Sequence, residues 1–89
     1  MESNTSKTLE ITKELARSIE QDLLEKYGPM ISGEALREVL GYPSMNAMRQ
    51  AVSRGTVPIP IFSIKKRRGK FALVKEVAMW IAKQRFNVS

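Results

Sequence analysis

Two groups of residues in this chain have the types and spacing to do chemistry. The first lies in "MNAMRQAVSR", Met45 to Arg54, where Asn46, Arg49, Gln50 and Ser53 recur at i, i+3, i+4 and i+7. On a helix that spacing makes one strip, and every member of the strip can hydrogen-bond. Arg can grip guanine through two bonds, and Asn and Gln can do the same for adenine. The second group is "KKRRGK", where Lys65, Lys66, Arg67, Arg68 and Lys70 put five cations in six positions around Gly69. No acid occurs between Met45 and Lys75, so nothing in that stretch would repel a phosphate. The competing readings are an ordinary solvated helix face for the strip, and a nuclear-localisation tag or a merely soluble loop for the cations.

Other chemistries lack their residues. The 89-residue chain has neither cysteine nor histidine, which removes disulfides, ordinary zinc sites and the common general bases and nucleophile pairs. It has no glycine-rich phosphate loop. An enzyme, a cofactor and a small-molecule substrate are therefore not expected. "MESNTSKTLE" lacks the layout of a signal peptide, and the longest apolar runs are far below the ~18 residues of a membrane span. The expectation is a cytoplasmic, nucleoid-associated protein with no membrane partner.

Charge divides the chain. Residues 1–44 hold five cations and eight acids, net −3, and residues 45–89 hold ten cations and one acid, net +9, which sum to the total of +6. One end reads as holding the molecule together and the other as meeting a polyanion.

The elements that must position these groups follow from periodicity. Residues 1–7 are polar and read as a flexible N-terminus. Thr8 to Tyr27 reads as a helix with Ile11, Leu15, Ile19, Leu23 and Tyr27 every four residues, ended by Gly28-Pro29. A second helix opens at Ser32, with Glu34 in its first turn and Ala35, Leu36, Val39 and Leu40 inside. "GYPS" breaks the chain, and Ser44 can cap the third helix, which ends at Gly55. Two short helices around a glycine turn make the helix-turn-helix pattern. In the third helix Met48, Ala51 and Val52 face inward. Pro58 and Pro60 exclude helix beyond it, so residues 59–64 and "KFALV" read as two strands of a hairpin with the cations at its bend. "KEVAMWIAKQ" is a last helix, with Val77, Ala78, Trp80 and Ile81 inside. At that spacing Trp80 reads as core in preference to a stacking residue for single strands, and Met30, Met45, Met48 and Met79 as core or rim. Tyr42 and Ser44, at the turn, either touch a phosphate or serve packing and capping.

The stretch from Met30 to Ala82, about 60% of the chain, resembles the small phage and plasmid regulators of the AlpA and excisionase type, which are themselves similar to the DNA-binding head of the MerR group. The matching features are Ser32, Leu40-Gly41, the helix to Arg54, Gly55 to Pro60, the basic hairpin Lys65 to Lys70, and Trp80. The turn is one residue longer here, at Tyr42-Pro43, which leaves the register of the recognition helix open by one position. The N-terminal helix has no counterpart in the shortest members. The resemblance implies that Arg49 or Gln50 and the basic hairpin touch DNA.

The expected fold is mainly α with a small β-hairpin, a winged helix-turn-helix (residues 29–85) with an extra N-terminal helix (residues 8–28). The expected function is sequence-specific binding of double-stranded DNA through Ser44, Asn46, Arg49, Gln50, Ser53, Arg54, Lys65, Lys66, Arg67, Arg68 and Lys70. The role would be transcription regulation or excision control in a phage, plasmid or other mobile element. The apolar stripe of the first helix exceeds what one small domain needs, so a homodimer through residues 8–27 is expected; the alternative is that the stripe packs on its own domain. The rivals are the DNA-binding part of a larger replication initiator, an RNA binder, and an adaptor whose basic patch holds an acidic protein.

Overall fold

A computed structural model describes residues 2–86 of the chain. The element order is α1 (Glu2–Tyr27), β1 (Met30–Ser32), α2 (Gly33–Leu40), α3 (Met45–Arg54), β2 (Phe71–Leu73) and α4 (Val74–Phe86), a mainly helical chain with one small antiparallel sheet. No helix among the described residues is long and apolar enough to cross a membrane.

The helix expected from Thr8 begins at Glu2, since no glycine or proline interrupts the segment before Gly28; Met1 lies outside the described residues. Gly28, at φ 86°, closes α1 by donating its N–H to Leu24 O at 2.9 Å. The buried side of α1 is turned slightly from the expected stripe. Thr12 and Ala16 are buried, Leu15 and Ile19 are half-buried, and Leu9 and Ile11 are exposed. Thr12 tolerates burial because its hydroxyl donates to Thr8 O at 2.6 Å, inside its own helix. Leu23, Leu24 and Tyr27 pack on the chain's own core.

β1 was not foreseen. It is three residues long, too short to show an alternation of its own. It pairs antiparallel with β2 in the register Met30↔Leu73, Ile31↔Ala72, Ser32↔Phe71, with the central pair buried. Val74 extends the ladder by donating to Pro29 O at 2.9 Å. Since β1 runs straight into α2 and β2 straight into α4, this pairing sets the two helices relative to each other. It also starts α4 beside the end of α1, so α4 runs back along α1. Buried Ala16 on one helix, and Ala78 and Ala82 on the other, keep the two backbones close.

The hairpin takes a different form from the expectation. The second strand forms as β2, but its ladder partner is β1. The expected first strand, residues 59–64, is reduced to Phe62, which exchanges both backbone hydrogen bonds with Phe71 at 2.9 and 2.8 Å. Pro58 and Pro60 have no N–H to donate, so no longer ladder can form there. The two rings stack at 6.2 Å between centroids and reinforce the single bridge.

The core lies between α2, α3, α4 and the sheet: Ile31, Leu36, Leu40, Met48, Ile59, Ala72, Val74 and Val77. Leu36, Val74 and Val77 are fully buried, each contributing ~1.5–3 kcal/mol of transfer free energy. Trp80 and Ile81 pack against this cluster, half-buried.

Candidate nucleic-acid interface

The turn between α2 and α3 is fixed at both ends by backbone chemistry. Gly41, at φ 85°, donates to Glu38 O at 3.1 Å while Tyr42 N–H reaches Arg37 O at 3.1 Å. This satisfies the last carbonyls of α2 in a Schellman arrangement. Arg37 then clamps the turn. Its Nε donates to Glu34 Oε1 at 2.7 Å, its Nη2 to Glu38 Oε1 at 3.5 Å, and its Nη1 to Tyr42 O at 2.7 Å. The sequence reading missed this residue, although Glu34 at i−3 signals an ion pair across one helical turn. Pro43 then leads to Ser44, whose Oγ accepts from Ala47 N–H at 3.1 Å and so caps α3. Ser44 is exposed. Tyr42 packs against the core, half-buried.

α3 keeps the orientation the spacing predicts. Met48 and Ala51 are buried and Val52 is half-buried, while Asn46, Arg49, Gln50, Ser53 and Arg54 are exposed. Its end repeats the Schellman arrangement: Gly55 donates to Val52 O at 3.1 Å and Thr56 to Ala51 O at 2.9 Å. The chain is thereby turned away from the helix axis toward Val57 and the buried Ile59.

The basic loop hangs from the Phe62–Phe71 bridge. Lys70 Nζ donates to Ser63 Oγ at 3.0 Å next to that bridge, and Arg67 N–H reaches Ile64 O at 3.0 Å in a tight turn at the tip. Lys66 sits inside this turn at φ 67°, a left-handed backbone that favours glycine. Lys65, Lys66, Arg67, Arg68 and Lys70 are all exposed.

Loop and helix share one groove of about 490 Å³, with Arg49, Val52 and Ser53 of α3 on one side and Gly69 and Lys70 on the other. Its floor is Met45 and Met48. The fold thus brings Arg49, Ser53 and Lys70 together. Asn46 and Gln50 stand on the exposed face of α3 outside the groove lining, and Lys65 to Arg68 project at the loop tip. The ion pairs among the described residues are those of Arg37 with Glu34 and Glu38, so Arg49, Arg54 and the five loop cations have no acidic partner there. Among the described residues no acidic cluster could hold a metal ion. Compared with protein-family models, with curated proteins and with solved structures, the chain matches none.

Proposed function

We propose that this chain is a winged helix-turn-helix protein that binds double-stranded DNA at specific sequences, with α3 as the reading helix and the Lys65–Lys70 loop as the wing. The observation that carries the reading is the groove between Arg49 and Lys70: two members of the helix strip, Arg49 and Ser53, and one cation of the loop, Lys70, open onto the same space. The ten residues of α3 span about 15 Å, which suits a major groove ~12 Å wide. With α3 there, Asn46, Arg49, Gln50 and Ser53 face base edges, and Ser44 and Arg54 meet the backbone at its two ends. The loop cations take the phosphates beside the site. The order of elements shared with AlpA and excisionase-type regulators supports a role in transcription regulation or excision control in a mobile element, and with it a cytoplasmic, nucleoid-associated location.

Footprinting on DNA flanking the chain's own gene tests the reading. A protected site that resists competition by bulk duplex DNA is the expected result. Binding that bulk duplex or duplex RNA competes away equally would overturn specific DNA recognition. Failure to bind any DNA at low salt would instead support an acidic protein as the partner of the basic loop.

A further inference from the structure

A second groove, about 840 Å³, lies between α1 and the start of α4, and the DNA reading leaves it unused. Its floor is apolar, with Ala16, Leu73 and Met79, and its α1 wall is charged, with Lys13, Arg17 and Glu20. Leu73 is 39% exposed there. Leu9 continues the same strip of α1 one turn earlier, at i−4 from Lys13, and is 45% exposed. α1 has 26 residues, about 39 Å, whereas α4 has 13, about 20 Å, so α4 can run along at most half of α1.

We propose that a second copy of the chain docks here, its α1 laid antiparallel along the first. The charge order of α1 selects that occupant. With the two-fold axis between Lys13 and Glu14, Lys7 faces Glu20 of the second copy, Glu10 faces Arg17 and Lys13 faces Glu14, because each pair of numbers sums to 27. These three pairings are of opposite sign and the symmetry repeats each of them, while the same register matches Glu2 with Glu25, both acids, at the two ends. Among the described residues of the single chain these side chains form no ion pair. Leu9 of the second copy then closes over the floor of the groove, and the same contact is made in reverse. Ile11, 48% exposed, lies on the other flank of α1 and takes no part. This inference does not rest on the DNA reading, although such a dimer would present two α3 helices to two half-sites.

Sedimentation of the full chain and five variants tests it. The full chain should be dimeric at micromolar concentration, and Leu9→Glu should be monomeric with unchanged helical circular dichroism. Glu10→Lys and Arg17→Glu, both at exposed positions, should each weaken the dimer about tenfold, and combining them should restore it. That rescue cannot arise within one helix, where the two residues stand about 10 Å apart along the axis. Ile11→Lys should behave as the parent chain does. A monomeric parent chain overturns the proposal. So does a double variant weaker than either single one, or an Ile11→Lys chain that dissociates while Leu9→Glu remains dimeric.

Discussion

α1 and the segment from Met45 to Lys70 are both densely charged and use charge in opposite ways. α1 carries four cations and six acids, interleaved along a helix whose inner side packs on the chain's own core. The segment carries seven cations and no acid, on a capped helix face and a loop. Interleaved signs leave a surface with little net field and many specific pairing options, which suits a protein partner. A single uncompensated sign creates a field that any polyanion feels, with binding that depends on salt. The contrast teaches that the distribution of charge on the fold, more than the net +6, separates the two surfaces.

Neutralising the loop should break the comparison most severely. Lys66→Ala, Arg67→Ala and Arg68→Ala together remove three unpaired cations from the tip. Each lost phosphate contact lowers the salt slope by ~0.9, so the slope should fall by about 2.7 and the affinity by roughly 3 kcal/mol near 0.1 M salt. Lys26, Lys83 and Arg85, exposed and outside both the loop and the α1 face proposed to pair, form the matching control when replaced together by Ala, and duplex binding by anisotropy should keep its slope. Equal slopes for the two triple variants would show that the protein's overall charge, and not the loop, meets the nucleic acid.

Arg49→Ala sharpens the contrast within the basic surface itself. The loop is expected to give affinity without sequence preference and Arg49 to give preference, so specific binding should drop by ~1–3 kcal/mol while bulk DNA binding stays nearly unchanged. Competition titration reads the ratio of the two. Equal losses for specific and bulk DNA would leave Arg49 as one more phosphate contact.

Among the described residues Arg37 is the cation with acidic partners, and its removal tests a purely structural use of charge. Arg37→Ala leaves Tyr42 O without its side-chain donor and frees the turn that sets α3 on α2. A stability loss of ~1–2 kcal/mol by urea unfolding is expected, with an unchanged salt slope for DNA binding. A lowered slope without destabilisation would move Arg37 from the fold into the interface.

The helices and the outward strip of α3 were legible because they rest on local rules: periodic apolar residues, glycine stops, and Ser44 before a helix. The sheet was not legible in the same way. β1 pairs with residues some forty positions later, and nothing in "MIS" carries that distance. "KFALV" was read correctly as strand-like, but its ladder partner was assigned by proximity in the chain, whereas the two prolines leave Phe62 able to supply only one bridge. The rotation of α1 that buries Thr12 and Ala16 depends on where α4 lies, which no single-helix pattern contains. For the site, the exposure of all the expected residues followed from the strip and the loop. The groove joining Arg49 to Lys70, and the clamp by Arg37, required the tertiary fold.

The smallest expected effect separates the loop's backbone from its charge. Lys66 holds φ 67° within the turn closed by Arg67 N–H and Ile64 O. A residue with a Cβ is disfavoured there by ~1–2 kcal/mol, while glycine loses ~0.5–1 kcal/mol more than a side-chain-bearing residue in backbone entropy on folding. Lys66→Gly should therefore stabilise the fold slightly, by roughly 0.5 kcal/mol, and Lys66→Ala should not, since it keeps the strained backbone. Both variants lose the same cation, so both should lower the salt slope of DNA binding by ~0.9. Paired thermal melts and salt titrations measure the two effects separately. A glycine variant that is more stable and binds with the parent slope would mean that the charge at this position is unused and that the contact belongs to Arg67 or Arg68. A glycine variant with a lowered slope and higher stability would mean that the left-handed lysine is kept at some cost to the fold because its charge is needed at the tip.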